Sequence, residues 1–205
     1  MVAFLPSDIL LFSLLSNTSC VWFQFFSLWL YDKNTLTGFA KHYRTREQIP
    51  DELFDELLLE RARRSSLRLL EQIYDGQLEI ELYNSAAGNA SILQIQNELN
   101  ERYTPENATK MKKGDLSKFV DILAIDVGEP EFRHLYLISE IMSCDAFEAF
   151  EDVGLGNEEA VKKLGKKFRK IILASGGGCN ALDAFRRFRG RDFTPEAFLQ
   201  HNGLL

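Results

Sequence analysis

Residues 139–154 read SEIMSCDAFEAFEDVG, residues 168–178 read FRKIILASGGG, and residues 181–204 read ALDAFRRFRGRDFTPEAFLQHNGL. These segments decide the fold, because each carries helix signals and each is followed by a stop. Pro130 opens a helix that runs to about Cys144, and a shorter one spans Asp145 to Glu151. Asn157 is placed to cap a lysine-rich helix whose Val161, Leu164, Phe168 and Ile172 form a narrow apolar face. Lys162, Lys163, Lys166, Lys167 and Lys170 leave that face for water, and cations late in a helix suit its negative end. Ser175 and Gly176 to Gly178 supply the exit. Thr194-Pro195-Glu196 starts the last helix and Gly203 ends it. The expectation is a mainly α chain.

Upstream, residues 9–31 form an apolar run, ILLFSLLSNTSCVWFQFFSLWLY, without a single charge. Its length reaches the ~18 residues at which a membrane helix becomes a candidate. The polar break Ser16-Asn17-Thr18-Ser19 argues against a span, and no Lys or Arg precedes the run as a signal peptide would require. A buried helix of a larger core is favoured, with a membrane role for residues 9–31 left open. Ile49-Pro50-Asp51-Glu52 opens another helix, with Pro at its first position and acids in its first turn. Leu53, Phe54, Leu57 and Leu58 recur along it at helical spacing. Residues 76–83 read both ways. Leu67, Leu69, Leu70 and Ile73 continue a helical stripe, whereas Leu78, Ile80 and Leu82 alternate with Glu79 and Glu81 as in a strand, after the turn signal Asp75-Gly76. Residues 91–103 are a helix with Ile92, Leu93, Ile95 and Leu99 inward, residues 104–116 a polar loop, and Leu116 to Ile125 a short apolar element of either kind.

At 205 residues the chain suffices for one core, so residues 1–205 are taken as one domain, with 1–31 its apolar helix and 32–205 its helical C-terminal part. The net charge of −6 is uneven: residues 161–205 hold 10 Lys and Arg against 3 Asp and Glu. Arg186, Arg187, Arg189 and Arg191 interleave with Phe185, Phe188 and Phe193, as in a single-strand binder, but a solvated helix face and a structural turn account for them better, and no nucleic acid is expected. Cys20, Cys144 and Cys179 are odd in number and widely spaced, which argues against a disulfide framework and for a reducing compartment. Asn17, Asn89 and Asn107 begin formal glycosylation sequons, which carry meaning only in a secreted chain.

Zinc hydrolysis requires two His one helical turn apart, a Glu between them as base and a third ligand. The chain has only His42, His134 and His201, and no His-Glu-x-x-His. The glycines 176–178 lack the Lys-Ser/Thr of a phosphate loop, and no nucleophile triad follows from spacing.

The segments quoted at the outset resemble the C-terminal end of the thimet oligopeptidase/oligopeptidase A family of zinc metallopeptidases. The matches are Ser139, Asp145, Phe147, Ile172-Leu173, Gly176-Gly177, Phe188, Gly190-Arg191 and the closing Ala197-Phe198-Leu199…Gly203-Leu204, in one order. Upstream, Trp29 and Ala40-Lys41-His42-Tyr43-Arg44-Thr45 fit the same family without a gap. The resemblance implies a multi-helix portion of a zinc metallopeptidase catalytic domain, a long helix through residues 76–83, and the endopeptidase hydrolysis of short peptides. It also implies which parts are altered. Cys20 occupies the position of the third zinc ligand, a Glu; Gln24 keeps the family Gln; Trp22 and Phe23 replace Pro and Ser. Ala124 stands at a family His and Glu129 at a substrate Tyr, Gly128 keeps a family Gly, and Arg133 and His134 replace paired tyrosines. Tyr136 is the one surviving position at which a phenol serves substrate or oxyanion. Three readings follow: a fragment or degenerate relative of the peptidase, inactive as this chain alone, with zinc only in the intact family; a non-catalytic protein that holds peptides or the missing remainder of the catalytic domain; or a small membrane-anchored helical protein. The first two imply a cytoplasmic or organellar location.

Overall fold

A computed structural model describes residues 18–85, 91–103, 133–176 and 178–205, without the side chains of residues 18–20, 22, 83–85, 92 and 133. They form helices α1 (Thr18–Leu28), α2 (Lys33–Phe39), α3 (Asp51–Ser85), α4 (Ile92–Tyr103), α5 (Arg133–Asp152), α6 (Glu158–Ile171), α7 (Ala181–Arg189) and α8 (Glu196–His201), with 3₁₀ turns at Trp29–Tyr31 and Leu173–Ser175. No strand occurs among the described residues; an isolated antiparallel bridge joins Lys41 and Gln48. The mainly α expectation stands. Residues 104–116 and 116–125, and residues 9–17 of the apolar run, lie outside the described residues.

The chain divides into two compact units, Met1–Ser65 with Ile138–Leu205, and Ser66–Leu137. The first is built on phenylalanines. Phe25 of α1 stacks on Phe168 of α6 at 4.4 Å and meets the edges of Phe147 and Phe150 of α5 at 6.1 and 5.5 Å. Phe168 continues edge-on to Phe188 of α7 at 5.2 Å. Each buried Phe removes about 1.5–3 kcal/mol worth of apolar surface from water, and each well-angled ring pair adds about 0.5–1.5 kcal/mol. The C-terminal turn docks on α3 through backbone: Ser65 Oγ donates to the Asn202 carbonyl at 2.6 Å. Gly203 there has φ +66°, and a Cβ on it would stand 2.9 Å from the Ala62 Cβ, so glycine is required by both conformation and space.

The second unit has a smaller core, in which Tyr74, Leu78 and Leu82 of α3 pack with Ile95 and Leu99 of α4. Residues 76–83 are therefore helix, because the spacing of Tyr74, Leu78 and Leu82 puts one face inward. Gly76 is no turn here. A Cβ on it would come within 3.1 Å of the His134 Cβ, so the residue permits a close approach.

Other expectations need correction. Leu53, Phe54, Leu57 and Leu58 do lie on one helix, α3, but of the four only Phe54 is buried, and Leu53 and Leu57 are among the exposed apolar side chains. Leu93 of α4 is likewise exposed while Ile95 and Leu99 are buried. Pro50 stands just before α3, its carbonyl accepting from the amides of Leu53 and Phe54. The break expected between Cys144 and Asp145 is absent, and α5 is continuous over 20 residues. No Pro or Gly interrupts it, and Ser143 Oγ, donating to the Ser139 and Val21 carbonyls at 2.7 Å each, is satisfied without disturbing the helix. Asn157 does cap α6, its Oδ1 accepting from the Ala160 amide at 3.2 Å. Among the described residues no helix is long and apolar enough to cross a membrane.

Candidate functional site

The C-terminal part of α5 presents Asp145, Glu148 and Asp152 at positions i, i+3 and i+7, one acidic face of a helix. The turn after α7 supplies the opposite charge. Asp145, fully buried, accepts from Arg189 Nε at 2.8 Å, from Arg191 Nη1 at 2.5 Å and from the Thr194 amide at 2.8 Å. Glu148 accepts from both arginines, Arg189 Nη2 at 2.6 Å and Arg191 Nη2 at 3.1 Å. Asp152 completes the face 3.6 Å from Arg189 Nη1. All three Arg189 nitrogens are thus engaged while its side chain is only 10% exposed. The hydrogen bond to Asp145 holds the Arg191 guanidinium above its ordinary pKa. The geometry explains why Asp145 and Gly190-Arg191 occur together: Gly190, at φ +81°, closes α7 and turns Arg191 back onto α5. This is a fold-holding centre with every buried charge paired.

Arg189 and Glu148 were not singled out from the sequence as partners. The usable signal is the acidic i, i+3, i+7 spacing, which asks for a cation; the structural turn expected around Gly190-Arg191 supplies it. Lys167 makes a contact that its spacing does not report. The residue is exposed, and its ammonium donates to the Phe188 carbonyl at 2.7 Å, capping the last turn of α7.

Cys20 lies on α1 of the first unit, with its side chain outside the described set; Ala124, Gly128 and Glu129 lie outside the described residues altogether. Tyr136 lies on α5 within the second unit and is 46% exposed. Two residues before it, His134 Nδ1 is 3.5 Å from Glu79, a carboxylate only 2% exposed. His201 Nε2 is 3.2 Å from Glu151 and its ring meets Phe147 edge-on. His42 Nδ1 accepts the Thr45 amide at 3.2 Å in an exposed turn, so the Ala40–Thr45 motif serves as a bend whose Arg46 takes φ +63°. Among the described residues, no three His, Cys, Asp or Glu side chains converge as a metal donor set. The donors present therefore do not fit a zinc site within the described residues. Cys144 is inert packing: burial, with help from the Glu140 carboxylate, pushes its thiol up to about 12.

The first unit also holds a cleft of about 380 Å³, bordered by Arg61, Tyr31 and the Glu151–His201 pair. The Arg61 guanidinium lies over the Tyr31 ring, 3.7 Å from its centroid.

Comparison with known proteins follows the same residues. The sequence profile of peptidase family M3 matches residues 13–204. The chain is 38% identical over 184 residues to organellar oligopeptidase A, chloroplastic/mitochondrial, of Arabidopsis thaliana, covering 89% of this chain and 23% of that protein. It is 36% identical to a probable cytosolic oligopeptidase A of the same plant, covering 26% of it, and 29% identical to oligopeptidase A of Escherichia coli, again covering 26%. The chain thus spans about a quarter of the length of the curated relatives it matches. With Asp145, Arg191 and the C-terminal turn accounted for by one packed unit, and the family profile running through nearly every residue, the chain belongs to peptidase family M3.

Proposed function

We propose that residues 1–205 are a C-terminal portion of the catalytic domain of a zinc-dependent metallo-oligopeptidase acting on short peptides, and that this portion by itself hydrolyses nothing. The observation that carries the reading is a family match from residue 13 to 204 in a sequence without His-Glu-x-x-His. Peptide hydrolysis on zinc needs that helix for two ligands and the base. On this reading Tyr136, 46% exposed, is the residue that would serve substrate or a developing oxyanion once that helix is supplied. Cys20 stands at the third-ligand position.

A second observation supports a role for the remainder of the domain as partner. Phe23, Phe26 and Leu30 are 79%, 53% and 43% exposed at helical spacing, while Val21, Phe25 and Leu28 of the same segment are buried. An apolar face opposite a packed one marks a surface that another body covers. The cytosolic and organellar names of the plant relatives support either compartment.

Metal analysis and a quenched fluorescent peptide assay test the reading. Purified residues 1–205 are expected to hold no stoichiometric zinc and to give no turnover. About one tightly held zinc per chain, or turnover that a chelator abolishes and Tyr136→Phe slows, overturns it.

A further inference from the structure

We propose that the cleft bordered by Arg61 in the first unit binds a free α-amino acid with an apolar side chain. The cleft is about 380 Å³, within the ~300–1,000 Å³ range of small-molecule sites. Its residues come from the end of α1, from α3, from α5 and from the C-terminal turn, all of the same unit.

Three features select the ligand. The first is Arg61. Its guanidinium carbon lies over the Tyr31 ring, 3.7 Å from the centroid, and among the described residues it forms no ion pair. A planar cation held by a ring and lacking an anion is suited to a carboxylate, which takes two parallel N–H bonds. The second is acid on the same rim. Asp32 receives the Thr35 amide and hydroxyl through one oxygen, Oδ2, which leaves Oδ1 for a donor. Glu151 holds His201 through Oε2, which leaves Oε1. Either carboxylate is suited to an ammonium. The third is the apolar wall of Leu28, Leu58 and Phe147, which takes a hydrocarbon side chain. One cation, spare carboxylate oxygens and an apolar wall together match a zwitterion with an apolar side chain. A plain anion would leave Asp32 and Glu151 unanswered, and a plain amine would leave Arg61 unanswered. The inference does not rest on the peptidase reading, since none of these residues bears that chemistry.

Titration calorimetry of residues 1–205 with L-leucine, leucinamide and N-acetyl-leucine is the test. Leucine is expected to bind saturably below about 10 mM, and each analogue, missing one charge-assisted contact, at least about tenfold more weakly. Arg61→Gln is expected to bring leucine down to the level of leucinamide, and Arg61→Lys to recover part of the loss. Leucinamide or N-acetyl-leucine binding as well as leucine overturns the proposal, as does the absence of saturable binding of leucine and phenylalanine to the folded wild-type chain. The analogue series uses the unaltered protein, so a variant that fails to fold does not leave the question open.

Discussion

The two ends of α5 make opposite use of one helix. From Ser139 to Phe150 the side chains are mostly buried: Ser139, Ser143, Cys144 and Asp145 are fully enclosed, and Phe147 and Phe150 enter the aromatic core. Near the other end Tyr136 is 46% exposed and His134 is spent on Glu79. The buried end carries Ser139, Asp145 and Phe147, which match the peptidase family; at the other end Tyr136 is the surviving match. The other end, where the resemblance expects paired tyrosines, carries Arg133 and His134 instead. The difference teaches that packing and chemistry are separable in this fold. The charge clasp on Asp145 and the phenylalanine core need no metal and no substrate, so they persist as a structural unit. A hydrolytic site instead needs parts brought from several segments.

The strongest way to break that contrast is Asp145→Ala. It removes the acceptor of the Thr194 amide and one of the acceptors of Arg189 and of Arg191, and breaking a buried ion pair by removing one partner costs about 3–5 kcal/mol. We expect a loss within that range by urea denaturation, because the Thr194 amide loses its acceptor while both arginines keep Glu148. A loss below about 1 kcal/mol would show the clasp to be ornamental. Next comes Phe168→Ala, which removes the ring stacked on Phe25 and facing Phe188 and is expected to cost about 3–4 kcal/mol. The smallest effects sharpen the picture on α6. Lys163→Gln and Lys166→Gln sit on the solvated face and should each move stability within about 0.5 kcal/mol. Lys167→Gln, which loses the cap on the Phe188 carbonyl, should cost about 1 kcal/mol. Equal responses from all three lysines would mean that the capping contact contributes nothing in solution.

Much of this was legible in the residues. The helices of the last 67 residues, the Asn157 cap and the glycine stop at 203 follow from local rules that need no partner, since caps and left-handed exits are satisfied within a turn or two. Family membership was legible as well, because Asp145, Arg191 and the closing residues recur in one order. Residues 76–83 were not settled by pattern, as Leu78 and Leu82 suit both a helix face and an alternating strand. The arrival of Ile95 and Leu99 against Tyr74, Leu78 and Leu82 decided it. The one continuous α5 and the exposure of Leu53, Leu57 and Leu93 were likewise beyond periodicity, which names a face without saying whether anything lies against it.

The sequence by itself determined that the chain is helical, which family it belongs to, and that the zinc-helix motif is absent from it. Only the tertiary structure decided which charges are structural and which are spare. Asp145 and Arg189 are 44 residues apart, and Arg61 and Tyr31 are separated by α2 and the start of α3. Local spacing cannot report such pairs, because their energy depends on burial and on distance in space, and both are set only when the helices pack.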